Sequence, residues 1–581
     1  MCGIVGCVGK ENVSKTLLNG IRKLEYRGYD SCGIAISNEN NVMLKKDVGD
    51  ISKVNKKLNF LDMNGKIGMA HSRWATTGKV TKTNAHPHFS NDKNIFLVHN
   101  GIIENYEEMK KDLVAKGYKF ISETDSEVIV HFIDEGLKQG LTPNEVMKNF
   151  IDTARGTFAV LWFEKNKNKL YAMKRDSPLV LGLCDNKLIL ASDIYAFSNE
   201  TNKAIFFDDE EFAVLSDHGF EFFDCFGDKI NKEISEFEWT RKEESREKYN
   251  HYMMKEIKEQ PEVVERLVNS FDEIQKNHLK EFAKLIRESK RVVFLACGTS
   301  YHASLVGSFL LTQLGIQAHS VIASEFEHFL LVDKGTLVIP ISQSGETMDV
   351  VTVLKDIKLK KAKIASIVNV PYSTVQRLSN VSIEILAGQE ICVAATKSFT
   401  NQLVTLFAIA KELGNQGIEL KTIPDKIEKT ISVNEEYIKK LAGELYEKND
   451  IFVLGRGMSY PIAREFALKL KEIAYVHAEG MMAGELKHGT IALVEDGTPI
   501  ISLIPNGNVD MISNTKEVET RGARTIIVSN TNGEIHLPAC TDAEFAIYSA
   551  LIGHLLSYYI AVLRKLPIDK PRNLAKSVTV K

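Results

Sequence analysis

The rhythm of hydrophobic positions changes along the chain. Up to about residue 240, short apolar runs alternate with turn signals: CGIVGCVG, IGMAHSRWATTG, NIFLVHNGII, TFAVLWFE and KLILASD. Runs of this length predict the strands of a β-rich α+β layer. Glu238 to Lys258 is charged, with RKEESREK at its centre, and reads as a linker or a solvated helix. From about residue 280, apolar strands precede long helical runs, as in RVVFLACGTSYHASLVGSFLL and TLVIPISQSGETMDVVTVLK. That alternation predicts parallel βαβ units. The expected organisation is a domain over 1–240, a linker over 241–275, α/β domains over 276–430 and 431–568, and a tail over 569–581.

The second region repeats itself. VVFLACGTSY (292–301) is similar to IFVLGRGMSY (451–460), and TLVIPISQSG (336–345) to TPIISLIPNG (498–507). The nearly constant offset argues for a tandem duplication. The copies differ chemically, because SQSGET in the first becomes IPNGNV in the second.

Composition narrows the partners. The 581 residues correspond to three or four domains at about 150 residues each. Lys and Arg number 73 against 76 Asp and Glu, a net charge of −3 that gives no reason to expect nucleic acid or an anionic membrane. No uninterrupted apolar run reaches the ~18 residues of a membrane span. Ala550 to Leu563 comes nearest and contains His554 and Ser557. The start of the chain does not read as a signal peptide. The eight cysteines lie singly, without zinc spacing, so neither a disulfide framework nor a metal site is expected. A reduced cytoplasm is the expected compartment.

Cys2 is the first candidate for chemistry. Initiator methionine is usually trimmed before a small residue, which would put a thiol and a free α-amine on one residue. An α-amine with a reference pKa of about 7.7 to 8.0 can serve as general base for its own thiol. Alone, Cys2 also reads as a small buried residue at a strand start. HNGIIEN (99–105) adds Asn100 and Gly101, whose side-chain amide and backbone N–H suit a tetrahedral oxyanion. Arg73 in HSRWATTG has the shape to clamp a carboxylate, and Asp125 in SETDSE can meet an ammonium group. Singly, each reads as a surface ion pair.

MCGIVG, EYRGYDS, HSRWATTG, NAHPH, HNGIIEN and SETDSE follow one another over about 125 residues and resemble the motifs of class II glutamine amidotransferases, which are N-terminal-nucleophile hydrolases. The resemblance implies an α+β sandwich in which Cys2 attacks the glutamine side-chain amide and releases ammonia. It implies an oxyanion hole from Asn100 and Gly101, and glutamine held by Arg73, Thr76, His86 and Asp125. Thr77 departs from the pattern, where bacterial relatives carry His.

In the second region, CGTS (297–300) and SQSGET (342–347) each end a strand and open a helix. Helix N-termini offer unpaired N–H groups and a positive dipole end, which suit a phosphate. ATKSFT (395–400) is a third such start. Helix capping explains any one of these, while three in one repeat point to an anion site. Lys469 and Glu472 share a helical face among apolar residues and read either as a structural ion pair or as a proton shuttle. His488 can open a sugar ring by acid–base transfer. A lysine amine in the tail DKPRNLAKSVTVK can form a Schiff base with a carbonyl.

These features and the PRNLAKSVTV ending resemble, over the whole chain, the tandem sugar-isomerase (SIS) domains of the glucosamine-6-phosphate synthase family, two α/β parallel-sheet domains. The resemblance implies conversion of fructose 6-phosphate and glutamine to glucosamine 6-phosphate and glutamate by a homodimer, without metal or other cofactor. It implies sugar-phosphate contacts from Thr299, Ser300, Ser342, Gln343, Ser344 and Thr347, with Val393 and Ala575 lining the pocket. Lys576 is implied as the imine-forming lysine, Glu472 as the C1–C2 proton carrier, and His488 as a ring-opening group from the neighbouring subunit. Lys469 and Arg572 support them, and Trp74 resembles the gate of an internal ammonia passage. Ala395 departs from the pattern, where bacterial relatives place Ser. The alternative is a paralogous amidotransferase with SIS domains acting on a different sugar phosphate.

Overall fold

The computed structural model describes residues 2–38, 41–237, 245–329 and 332–578. Met1, the expected boundary at 240/241 and the last three tail residues lie outside the described residues. The chain divides into two compact units, Met1–Glu243 with Ser577–Lys581, and Glu244–Lys576.

The first unit is built on two antiparallel sheets among the described residues. One runs, edge to edge, through Ser235–Glu236, Lys203–Phe206, Val180–Cys184, Lys187–Ala191, Gly3–Gly9, Ile67–Arg73, Ser31–Ser37 and Val42–Val48. The other runs through Lys229–Ile230, Gly219–Phe223, Phe212–Ser216, Leu170–Arg175, Gly156–Glu164, Ile95–Ile103 and His88–Phe89. Ile4, Val8 and Met69 of the first sheet share a core with Phe96, Val98 and Leu161 of the second, so the sheets pack face to face. Ile95 and Leu97 point the other way, into a core with Val128, Ile133 and Phe150 of the covering helices. Alternate residues of Ile95–Ile103 thus enter two different cores, and for that reason IFLV reads as an unbroken apolar run. Leu17 and Ile21 of the helix Ser14–Lys23 are buried on the outer face of the first sheet. The layers are helix, sheet, sheet, helix.

The second unit holds two five-stranded parallel sheets. The first has the order Ala318–Ile322, Arg291–Ala296, Thr336–Ser342, Lys363–Val368, Val381–Glu384. The second has the order His477–Met482, Asp450–Gly455, Pro499–Ile504, Arg524–Ser529, Ile535–His536. In each, the second strand in sequence lies outside the first, so the order reverses between the first and third strands. Ligands bind at such a reversal, beyond the strand C-termini. The shared order matches the internal sequence repeat.

Between the sheets, the helices Lys397–Leu413, Ile423–Leu445, Ser459–Ala474 and Asp542–Leu563 contribute to one apolar core. Asp542–Leu563 is long and apolar enough to cross a membrane by length and composition, and 83% of its most apolar stretch is buried inside the unit. A helix apolar on every side is what the middle of a large core requires.

Residues 252–272, expected within the linker over 241–275 and in part as a solvated helix, form the helices Tyr252–Lys258 and Gln260–Asp272, both with buried faces within the second unit. Met253, Ile257, Val264 and Leu267 join its core, and even Lys255 and Glu256 are buried. The high charge density hid this because the charged side chains have partners. Lys255 pairs with Glu259 at 3.2 Å, and Lys258 with Glu435 at 2.5 Å.

Candidate active site

Cys2 precedes the strand Gly3–Gly9, and its sulfur is gripped by backbone. The Trp74 N–H donates to Sγ at 3.3 Å, and the thiol reaches the Trp74 carbonyl at 3.5 Å. Burial pushes the thiol's pKa up, opposed by the Trp74 N–H and the Arg73 charge. A buried thiol so raised needs a base. The four nearby histidines are engaged elsewhere. His71 Nε2 donates to the His99 carbonyl at 3.0 Å, and His99 Nδ1 pairs with Ser126 Oγ at 2.9 Å. His88 Nε2 meets Thr124 Oγ1 at 3.1 Å, and His86 Nδ1 accepts the His99 N–H at 3.3 Å. Burial holds all four below the ordinary imidazole pKa.

Asn100 Nδ2 donates to the Cys2 carbonyl at 2.8 Å, which sets this strand against Cys2. Gly101 follows with φ +128°, and a Cβ there would lie 2.0 Å from the Thr157 carbonyl oxygen. Only glycine lets the backbone pass this close. Gly101→Ala is therefore expected to lower thermal stability and, on the oxyanion role that the amidotransferase resemblance implies, to cut glutamine hydrolysis at least about tenfold. Circular dichroism melting and a glutaminase assay would check both effects.

Arg73 ends the strand Ile67–Arg73, and its guanidinium donates to the carbonyls of Thr77, Gly78 and Lys79. The departure at Thr77 therefore leaves this contact intact, because any residue supplies the carbonyl. The Asp125 carboxylate accepts the Ile103 N–H at 2.8 Å, and its field reaches both Cys2 and Arg73. Thr76 is exposed on the 74–80 loop. His86 is 3% exposed and stacked on His71 with ring centroids 4.0 Å apart.

Several positioning residues escaped the sequence reading. Asp30 accepts the Ala75 N–H at 2.9 Å. Glu123 accepts the Lys79 N–H at 3.1 Å and an Asn84 amide N–H at 3.0 Å, tying the 74–80 loop to SETDSE. Arg27 forms a buried 2.9 Å ion pair with Asp193. These residues stand inside or beside the quoted motifs, but spacing alone does not reveal their partners.

In the second unit, CGTS and SQSGET sit at the order reversal of the first parallel sheet. Ser342 Oγ lies 3.2 Å from Thr347 Oγ1 and accepts the Gly345 N–H at 3.0 Å. Ser344 Oγ accepts the Glu346 N–H at 3.2 Å, and the Gln343 carbonyl accepts the Asn369 N–H at 3.3 Å. Ser300 Oγ accepts from Gln402 at 2.9 Å. The Thr299 hydroxyl turns toward another cluster, donating to Glu465 at 3.1 Å and accepting from Lys469 at 3.2 Å. Lys469 is fully buried between Glu465 and Glu472, 3.2 Å and 2.5 Å away. Burial works against its charge, and the two carboxylates prevail and hold it protonated. Glu472, Tyr475, Arg572 and Leu574 line a cavity of about 460 Å³. The Arg572 N–H donates to the Tyr475 hydroxyl at 2.7 Å, with the guanidinium over the ring.

Lys576 is buried against Glu390, the partner that sequence reading missed. Glu390 also accepts the N–H groups of Thr396 and Ser398 and the Ser398 hydroxyl, at 2.8, 3.1 and 2.6 Å. Burial alone would raise this carboxyl, but Lys576 and these donors bring it down to about 2. The third Ser/Thr-rich helix start thus carries a protein carboxylate. Val393 and Ala575 are half-buried nearby in sequence, and the Val393 N–H donates to the Asp569 carbonyl at 3.1 Å. His488 is exposed at the end of the turn Ala483–His488, and among the described residues no hydrogen bond or ion pair joins it to this group.

The chain matches a glutamine amidotransferase domain over 71–199 and a SIS domain twice, over 285–411 and 444–562. It is 40% identical to the glutamine–fructose-6-phosphate aminotransferase (isomerizing) of Pyrococcus horikoshii, with 100% of both chains covered. It is 41% identical to that of Thermococcus kodakarensis, again over 100% of both. The chain belongs to the glutamine–fructose-6-phosphate aminotransferase (isomerizing) family. A solved C-terminal domain of glucosamine-fructose-6-phosphate aminotransferase from Francisella tularensis is 34% identical, with a TM-score of 0.52 over 56% of this chain and 100% of that chain. Glucosamine-6-phosphate deaminase from Thermotoga maritima shares the fold, with a TM-score of 0.50 at 24% identity over 57% of this chain and 100% of that chain. In this family member, the two SIS matches fall on the two halves that share one strand order.

Proposed function

We propose that this chain makes glucosamine 6-phosphate and glutamate from fructose 6-phosphate and glutamine. The observation that carries the reading is the burial of Lys576 against Glu390, which fixes a lysine of the tail at one place in the second unit.

Cys2, freed of Met1, attacks the glutamine amide with its own α-amine as base. Asn100 and Gly101 stabilise the oxyanion, and Arg73 and Asp125 meet the carboxylate and ammonium of glutamine. In the second unit the hydroxyls and amides of 299–300 and 342–347 hold the sugar phosphate. His488, contributed by the second copy in a homodimer, opens the ring. Lys576 gives up a proton to water and adds to the C2 carbonyl, whose oxygen leaves as water. With the proton returned, ammonium plus ketone has become protonated imine plus water. Ammonia released at Cys2 then displaces the lysine at C2, and Glu472 carries a proton from C1 to C2. These steps belong in a cytoplasmic setting.

The test is to incubate the enzyme with glutamine and a panel of hexose phosphates and to identify the amino sugar. Glucosamine 6-phosphate from fructose 6-phosphate is expected. A different preferred sugar phosphate would assign the chain to a paralogous reaction.

A further inference from the structure

Glu256 has no role in the reaction as described, yet it is 2% exposed within a unit that otherwise pairs its buried charges. One of its oxygens, Oε1, accepts the Ile391 and Cys392 N–H groups at 2.5 and 3.1 Å, directly after Glu390 in sequence. The other, Oε2, is buried without a hydrogen-bond partner among the described residues. The helix carrying it, Tyr252–Lys258, is also tied to the tail. Asp569 accepts the Tyr252 and Met253 N–H groups, both at 3.0 Å, while its carbonyl takes the Val393 N–H. One short helix therefore touches both the loop that holds Glu390 and the segment leading to Lys576.

We propose that Glu256 is a positioning residue for the imine-forming step, which holds the segment after Glu390 through two amide hydrogen bonds and, through the charge on its unpartnered oxygen, sets how readily Lys576 releases the proton it must lose. This rests on the assignment of Lys576 as the imine-forming lysine.

The charge balance gives the direction. Glu390 and Lys576 neutralise one another. Lys397 also acts on Glu256 but is paired with Glu259 at 2.8 Å, and Lys255 on the same helix is paired with Glu247 at 3.3 Å as well as with Glu259. Burial first, then the charges of Glu256 and Asp569, keeps Cys392 a thiol against the pull of Lys576. An ionised Glu256 is thus a surplus negative charge, which favours the ammonium form of Lys576. Burial first, then the Glu390 charge, lifts the Glu256 carboxyl to about 8. It is neutral below that pH, where the amine is released more easily, and charged above it.

The experiment is borohydride trapping of Lys576 on the full chain with fructose 6-phosphate, across a pH series spanning 8, in wild type, Glu256→Gln and Glu256→Asp. Wild type should show a bend near pH 8 that the Gln variant lacks. Below the bend the two should agree. Above it the Gln variant should trap about three- to tenfold faster, the change one neighbouring charge makes in the free-amine fraction. Glu256→Asp, with a carboxyl one methylene shorter, should keep a bend displaced from the wild-type one. This variant also decides the matter if the Gln chain fails to fold. Parallel wild-type and Gln profiles, or an unmoved bend in Glu256→Asp, would overturn the proposal. Absence of wild-type trapping at Lys576 would instead sink the parent assignment, and this inference with it.

Discussion

Cys2→Ala should lose glutamine-dependent formation of glucosamine 6-phosphate by about four orders of magnitude or more, because the group removed is the one proposed to bond to the substrate. The fold should survive. The side chain is small, and the Trp74 N–H that it leaves sits beside a loop pinned independently by Asp30 and Glu123. The second unit has its own core, so interconversion of fructose 6-phosphate and glucose 6-phosphate should persist. The measurement is paired: amino-sugar yield from glutamine, and hexose-phosphate isomerisation without it. Retained use of glutamine would place the nucleophile elsewhere. His71, His86, His88 and His99 are poor substitutes, because a backbone or hydroxyl partner occupies one ring nitrogen of each and burial keeps them neutral.

Lys576→Ala should abolish imine trapping by borohydride and with it synthesis of the amino sugar. The alanine variant also strips Glu390 of its counter-charge, and breaking a buried pair from one side costs about 3–5 kcal/mol. Part of any loss would then reflect an undocked tail. Lys576→Arg separates the two effects. It keeps a cation for Glu390 but has no amine to form an imine, so trapping and synthesis should vanish while thermal stability stays close to wild type. Trapping that continues at another lysine would show that the tail has been given the wrong role. A pH series adds a check on the pair itself. The folded chain holds Glu390 at about 2, below the 4.5 of a free carboxyl. Its stabilising contribution is therefore complete above the free value and declines as pH falls through 4.5 toward 2. Lys576→Ala should show a weaker acid dependence over that window.

Legibility in the sequence followed a physical rule. Groupings carried by neighbours in the chain were readable: Asn100 and Gly101 are adjacent on one strand, and Lys469 and Glu472 share a helical face. Partners brought together by topology were not. Glu390 and Lys576 are 186 residues apart, and nothing in QEICVAATKS distinguishes a carboxylate that docks the tail from one that faces water. Glu256 was hidden in the same way. Its helix is rich in Lys and Glu, a composition that reads as solvated until each charge is matched with its partner. Thr299 shows the limit on a single residue. Its place at a helix start predicts a phosphate contact, while the structure engages its hydroxyl with Lys469 and Glu465.

The chain alone established an α+β layer followed by a duplicated parallel α/β region, because side-chain periodicity and turn chemistry are local properties. It also established the thiol, the Asn-Gly pair and the hydroxyl-rich helix starts, whose function depends on residues next to one another. Only the tertiary structure decided which charges are buried, and so which carboxyls are held ionised and which are lifted toward neutrality. Burial and charge neighbours are set by segments that meet from hundreds of residues apart, and that meeting appears nowhere in the order of the residues.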